Sequence, residues 1–334
     1  MTPVACTVAR LGAGAALLAV AAMAAAQSAP AAWPAKPVRI VVGFSAGGPT
    51  DVVARAFADH ATRELGQPVI VENRPGANTI LAAEAEAEAV ASAPADGTTL
   101  LLGATNHTMI PALYSSRVKF DVLKSFAPVC TLALSPTVLA VGPAMPVKTL
   151  AAFLQQVQAE PGKRTYATPG SGSSGHFASA HFTRLTGTAM NHIPYKGAAQ
   201  AVTDLMGGQV DSSFATLGSV LPQLQSGKLT ALAVAAPQRS PLLPNVPTFE
   251  EAGVKGYSAD AWYGLLAPAG TPAPVLARLE QVAQDFVRAP ATVDKLRSLG
   301  MEPQGRCGAP FAAQLQREVR DNTQLARELD LKAE

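Results

Sequence analysis

The chain has 334 residues, of which 15% are charged and 48% apolar, and its 26 basic and 24 acidic side chains give a formal net charge of +2. That apolar content excludes a mainly disordered chain, and the near-neutral balance argues against a nucleic-acid partner, which needs a basic domain or stripe. Aromatic residues at 5% disfavour stacking platforms for bases or sugars, and a chain of this length usually splits into two domains.

The first segment reads as an address. Arg10 is the only charge before Lys36, and the run from Leu11 to Met23 is apolar or small. It is too short and too Ala-rich for a spanning helix. Ala24-Ala25-Ala26 offers a small-x-small cleavage site, so residues 1–26 are expected to be a secretory signal peptide cleaved near Ala26 and the protein to be periplasmic. An uncleaved membrane anchor is the alternative. Beyond this segment only Cys130 and Cys307 remain. Export allows them to pair, and buried free thiols are the other reading. No C-x-x-C or Cys/His spacing suggests a metal, and no cofactor is expected.

After Trp33 strands alternate with helices. Val38–Val42 is strand-like, and Val53, Phe57, Ala61 and Leu65 follow at i, i+4 spacing, with Gly66 suited to the C-terminal cap. Val69–Val71 is a second strand, an Ala/Glu-rich helix is predicted from about Thr79 to Pro94, and Thr98–Leu102 is a third strand. Thr149 can cap a helix carrying Leu150, Phe153, Leu154 and Val157. Thr165–Thr168 is a strand, Gly170–Gly175 a turn, and Phe177, Phe182 and Leu185 mark the next helix. Asn191–Ile193 is a strand before the Gly197 turn and the helical face of Val202, Leu205 and Met206. Val210–Phe214 and Leu229–Ala235 are further strands. The tail is helical, with Val275, Leu279, Val282 and Phe286 in one helix and Phe311, Leu315 and Val319 in another. Strands separated by helices imply parallel pairing and an α/β fold.

Gly43-Phe44-Ser45-Ala46-Gly47 matches the G-x-S-x-G pattern of hydrolases and sits between a strand and a helix. An exported serine hydrolase with Ser45 as nucleophile is therefore one reading. Against it, the turn follows the first strand, no His-Gly-Gly-Gly run is present, and the last histidine is His192. The same turn continues as Gly48-Pro49-Thr50-Asp51 into a helix, whose free amides and dipole suit a small anion. It is neither a P-loop nor a G-x-G-x-x-G turn. Ser171-Gly172-Ser173-Ser174-Gly175-His176 and Pro194-Tyr195-Lys196-Gly197 are two further strand-to-helix turns. In open α/β sheets ligands sit beyond the carboxyl ends of strands, where such turns gather. Of five histidines, His107 and His176 fall in turns and can donate to an anion. His60 is expected on a solvated helix face and His181 in packing. Asp51 also favours the helix dipole.

These turns belong to longer blocks: WPAKPVRIVVGFSAGGPTDVVAR, VIVENRPGA, PADGTTLLLG, IPALY, GSGSSGHFASAHF, HIPYKGAAQAVTDLMGGQVD, GKLTALAVAAPQRSPLLPNVPTFEEAG and WYGLLAPAGTP. In this order they resemble the extracytoplasmic solute receptors of tripartite tricarboxylate transporters, the Bug family, over nearly the whole chain after Trp33. The resemblance implies an α/β, two-lobed periplasmic binding fold (type II, a Venus flytrap) with two chain crossovers. One lobe would comprise residues 33–128 and 238–334, the other 129–237. It implies a small organic acid ligand, membrane transporter subunits as partners, a monomer and no catalysis. Carried over by motif position, the ligand-binding residues are Phe44, Ser45, Ala46, Gly47, Gly48 and Asp51 in the first lobe, with Thr105, Asn106 and His107 beside them. In the second lobe they are Ser171, Gly172, Ser173, Ser174 and His176, the Tyr195-Lys196-Gly197 turn, and Thr216. The sequence departs from the common family pattern at Ala77–Ala82, at Ala104–Met109 and in the serines of the second glycine turn, which bears on the ligand more than on the fold. A receptor serving a sensor rather than a transporter is a further reading.

Overall fold

A computed structural model describes residues 33–44, 46–74, 87–114, 118–257 and 259–331. The expected signal peptide at 1–26, Ser45, and the part of the Ala/Glu-rich helix before Ala87 lie outside the described residues; 87–91 is helical as expected. The residues Lys36–Glu334 group as one contact unit.

Three parallel strands build the first half of the sheet: β1 (Val38–Val42) between β2 (Val69–Asn73) and β3 (Thr99–Ala104). Between β1 and β2 runs α1 (Pro49–Leu65), which buries Val53, Phe57 and Ala61 on one face. Pro49 occupies its first turn and Gly66, at φ 66°, ends it in the left-handed conformation, both as the residue types favour. A 3-10 turn (Thr105–Thr108) and the short α2 (Ile110–Tyr114) follow β3.

The chain then enters β4 (Phe126–Val141), a 16-residue strand that crosses between the two halves. Phe126–Pro136 pair antiparallel with β9 (Asp260–Pro268), whereas Thr137–Val141 pair antiparallel with β7 (Ser212–Thr216), and Val138–Val141 also pair with β8 (Thr230–Val234). In the second half β5 (Thr165–Thr168) lies parallel to both β6 (Asn191–Pro194) and β7. Helices α3 (Leu150–Ala159), α4 (Ser174–Thr186), α5 (Ala198–Met206) and α6 (Leu217–Gln225) cover it. The chain returns after β8 into β9, beside β3. It finishes with α7 (Ala273–Arg288), α8 (Pro290–Ser298), β10 (Glu302–Cys307) and α9 (Ala309–Glu328). The result is a two-lobed α/β fold of the periplasmic binding type, with β4 and the β8-to-β9 return as its two crossings.

Sequence periodicity finds β1, β2, β3, β5, β6 and β7, and β8 at Thr230–Val234 within the expected Leu229–Ala235, but misses β4, β9 and β10; β8 pairs antiparallel with β4, against the parallel pairing expected. β4 carries Pro128 and Pro136, β10 carries Pro303 and Gly305, and register slips occur after Pro128, between Thr131 and Ala133, and between Pro303 and Arg306. Proline within a run argues against a strand. β7 starts and ends two residues later than the expected Val210–Phe214, which puts Thr216 at the strand's own end. The apolar spacing in α7 and α9 buries Val275, Leu279, Val282, Phe286, Phe311 and Leu315. His60 corrects its expectation: it is half-buried against the Phe286 ring, 5.7 Å between centroids, and its Nε2 is buried.

Each half has its own core. Leu101, Phe126, Trp262, Phe311 and Leu315 cluster in the first, and Leu139, Phe153, Phe182, Phe214 and Phe249 in the second. Each such side chain contributes about 1.5–3 kcal/mol when fully buried. Cys130 and Cys307 form a disulfide between directly opposed residues of β4 and β10, which resolves the alternative left open by the sequence.

Candidate functional site

The first glycine turn is held from below by one carboxylate. Asp51 is 3% exposed and lies in the opening turn of α1. Its Oδ2 accepts from the Gly47 amide and from Arg55 Nε, both at 2.9 Å, and its Oδ1 accepts from Asn73 Nδ2 at 2.9 Å. Asn73, at the end of the neighbouring strand, also donates to the Phe44 carbonyl and accepts from Arg55. Burial pushes the Asp51 pKa up, but the bonds from Arg55, Gly47 and Asn73 together outweigh it and hold the group below the ordinary carboxylate range. Gly47 has φ 84°, a conformation that residues with a Cβ rarely adopt. Ala46 and Gly47 are exposed, while Phe44 and Gly48 are half-buried. Gly48 provides no side-chain cap, so the start of α1 carries no side-chain acceptor for its first amides.

The end of β3 stands beside this turn. Gly43, Phe44, Asn106 and His107 border one small cavity of about 10 Å³. Thr105 Oγ1 accepts from the Trp262 amide at 2.8 Å. His107 is a core residue: its Nε2 lies 3.0 Å from the Val122 carbonyl and its ring edges onto Phe126. Since a carbonyl can only accept, Nε2 carries the proton, and burial lowers the pKa to about 4. The Asn106 Oδ1 atom is buried with no hydrogen-bond partner among the described residues.

In the second half the ends of β5, β6 and β7 share one edge of the sheet. After β5, the Gly172 amide donates to His176 Nδ1 at 3.0 Å, and Ser173 Oγ caps α4 by accepting from the His176 amide. Gly175 is a packing glycine within the helix: a Cβ there would lie 2.3 Å from the Phe214 carbonyl oxygen. The Ser171 hydroxyl oxygen is buried without a hydrogen-bond partner among the described residues. His176 stacks on His192 at 4.3 Å, His192 stacks on Tyr166 at 5.0 Å, and His192 Nε2 lies 2.6 Å from Thr168 Oγ1. Burial, and then the neighbouring His176, push the His192 pKa down to about 3. After β6 the Tyr195 hydroxyl donates to Asp204 at 2.8 Å and its amide to the Thr168 carbonyl. Lys196 is exposed, and Gly197, at φ 141°, begins α5 without a side-chain cap.

These two edges meet where the lobes cross. Ala104 pairs with Tyr263 on β9, Pro136 with Asp260, and Thr137 with Thr216. The Tyr263 phenol reaches the Thr216 side chain, so one residue spans the end of β3 and the end of β7. Tyr114 on α2 donates across to the Ser171 carbonyl through a long 3.4 Å bond. The starts of α1, α5 and α6 carry no side-chain cap, that of α4 is capped by Ser173, and α6 begins directly after Thr216 at this junction. Such termini favour anions through free N–H groups and the helix dipole. Several turn amides are already used internally, namely Gly47, Gly172, Ser173 and Tyr195.

Sequence reasoning missed Arg55, Asn73, Tyr114, Thr168, His192 and Tyr263. Arg55, at i+4 from Asp51 on the same helix, and Asn73 and Thr168, which end parallel strands next to the turns, were reachable in principle; Tyr114, His192 and Tyr263 depend on pairings no local spacing reveals. Among the described residues no group of three or more His, Cys, Asp or Glu could hold a metal ion, and no helix is long and apolar enough to cross a membrane.

Comparison with known proteins agrees in family and in fold. A sequence profile described as the tripartite tricarboxylate transporter family receptor matches residues 53–331. Protein BugT of Bordetella pertussis (strain Tohama I) is 35% identical over 272 residues, covering 81% of this chain and 82% of BugT. Rpa4515 of R. palustris, solved with adipate, superposes with a TM-score of 0.83 at 30% identity over 90% of this chain and all of its own. MatC from Rhodopseudomonas palustris, solved with bound malate, gives a TM-score of 0.78 at 33% identity over 88% of this chain and 99% of its own.

Proposed function

Because this chain belongs to the tripartite tricarboxylate transporter receptor family, we propose that it is a periplasmic receptor that captures a small di- or tricarboxylate between its lobes and presents it to membrane transporter subunits. The observation that supports this reading is the junction at Thr216, Tyr263 and Ala104, where the ends of β3 and β7 from the two halves come together. No cluster of arginines is needed there, since backbone amides and helix dipoles supply the positive potential. The relatives with adipate and malate support an acid of that size.

Within this reading the expected residues divide by role. Phe44, Ser45, Ala46 and Gly48, with the first amides of α1, meet one carboxylate. Asn106, Thr105, Ser171, Ser174, Lys196, Gly197 and Thr216 surround the remainder of the acid. Gly47, Asp51, His107, Gly172, Ser173, His176 and Tyr195 shape those turns, because the contacts described above already occupy their polar groups. The lobes divide as 33–128 with 238–334 and 129–237, and the change of strand partner between Pro136 and Thr137 is the hinge line. Residues 1–26 direct export. Closure of the lobes on the acid is the signal that the membrane partner reads.

Thermal unfolding of ligand-stripped protein against a panel of di- and tricarboxylates tests the reading. An acid at a hundredfold its Kd adds about 2.7 kcal/mol and raises the midpoint. A broad panel with no raised midpoint, together with native mass spectra free of any co-purified acid, contradicts it. The hydrolase reading is tested alongside: Ser45→Ala abolishes ester turnover if Ser45 is a nucleophile, whereas the receptor reading expects no turnover in the parent protein.

A further inference from the structure

A cavity of about 610 Å³ lies on the α9 side of the crossing strands. Of the residues discussed for acid capture it touches only Thr105 and Ser174. One wall is α4 of the second half, which contributes Phe177, His181 and Arg184; the other is α9 of the first half, with the starts of β9 and the end of β10. Phe177, Met109, Leu134 and Leu325 give it an apolar lining.

Its charged groups differ in how well they are satisfied. Glu318 is fully engaged: it accepts from Trp262 Nε1 at 2.7 Å, Gln314 Nε2 at 2.8 Å and Thr108 Oγ1 at 3.1 Å. Arg184 is paired with Glu328, and Arg306 donates to Gln314. His181 packs on the Tyr257 ring, and Arg317 and Asp321 are exposed. Asp260 stands apart. Its carboxylate borders the cavity with no hydrogen-bond or ion-pair partner among the described residues. Burial pushes its pKa up to about 6, Arg306 opposes this from beyond ion-pair distance, and Glu318 adds to it. Asp260 is half-buried, lines the cavity and is mainly ionised at neutral pH without a counter-charge at ion-pair distance, so a cation in the cavity would find a partner there.

We propose that this cavity is a second ligand site, for a small organic cation whose primary ammonium group binds Asp260 and whose short carbon chain lies along Phe177, Met109 and Leu134. An ammonium group supplies up to three N–H donors to a carboxylate that has none. A bare metal ion fits less well, because Glu318 already accepts from neutral donors and, among the described residues, no group of three or more His, Cys, Asp or Glu includes Asp260. The walls come from both halves, so an occupant also bridges α4 and α9.

Calorimetric titration with n-butylamine at about pH 8, with n-butanol as the uncharged isostere, tests this. The amine is expected to bind and the alcohol not to. Asp260→Asn, which keeps the shape and removes the charge, is expected to weaken amine binding by about tenfold or more while its unfolding midpoint stays at or above that of the parent. A Phe177→Ala variant is expected to reduce the gain from lengthening the amine chain. Absence of amine binding to the parent protein, or equal binding by Asp260→Asn, overturns the proposal. The readout is independent of the acid panel, so the two sites stand or fall separately.

Discussion

Asp51 shows how one buried carboxylate can fix a glycine turn from below. Its three donors come from the turn itself, from one helical turn along α1, and from the next strand. Asp51→Ala leaves those donors unpaired and is expected to cost about 2–4 kcal/mol in urea unfolding. It is also expected to weaken acid binding by about tenfold or more, since the Gly47 turn loses its anchor. The histidines make a second claim at this scale. His107 and His192 have folded pKa values near 4 and 3, against about 6.5 when unfolded. Below pH 6.5 the unfolded state takes up protons that the native state refuses, so this stability is present above about pH 6.5 and is lost as pH falls toward the folded values. Asp260 runs the other way, because its folded value near 6 exceeds that of a free carboxyl. Its ionisation opposes folding as pH rises from about 4 through 6, by up to about 3 kcal/mol. Urea midpoints measured from about pH 7.5 to 5 are therefore expected to decline less steeply in His192→Asn than in the parent. In Asp260→Asn they are expected to decline more steeply, because the opposing carboxyl is gone. Identical slopes in all three proteins would contradict both assignments. Little of this was legible in the sequence. Asp51 and its i+4 partner Arg55 can be placed on one helix face from their spacing, but Asn73 joins them only when β1 and β2 pair.

At the scale of elements, close packing fixes the glycine turns as firmly as turn geometry does. Gly175 lies in α4 where a Cβ would strike the Phe214 carbonyl. Gly175→Ala is expected to lower stability by about 1–3 kcal/mol and to shift the start of α4, weakening acid binding. The same substitution in a solvent-facing turn would do less. The disulfide is the second constraint, because it joins β4 to β10 across 177 residues of chain. Replacing both cysteines by serine is expected to cost about 2–4 kcal/mol in reversible unfolding. The parallel strands β1, β2, β3, β5 and β6 and the helices with clear apolar spacing could be read from sequence, since their patterns are local. β4, β9 and β10 could not. Pro128, Pro136, Pro303 and Gly305 break the alternation that announces a strand, and an edge or bulged strand tolerates what a central one does not. The position of Cys130 opposite Cys307 follows from that hidden antiparallel pairing.

Across the whole molecule, the two halves of the sheet are joined at the crossing strands. β4 changes partners between Pro136 and Thr137, and Tyr263 links the end of β3 to Thr216. A ligand that touches helix starts on both sides of this line favours the closed arrangement by its differential affinity for it. The motif blocks made the family and the two-lobed fold legible before any coordinates, because they span most of the chain. Under the proposed reading the choice of acid was not legible, since backbone amides suit any carboxylate and the unpartnered Asn106 Oδ1 and Ser171 Oγ reach their places through folding that spacing does not encode. The most direct test is calorimetric titration of the best acid from the panel beside its two half-esters. Each half-ester removes one negative charge while preserving length. If helix starts from both lobes grip the acid, the diacid binds and either half-ester binds about tenfold or more weakly; equal affinity for all three contradicts the account.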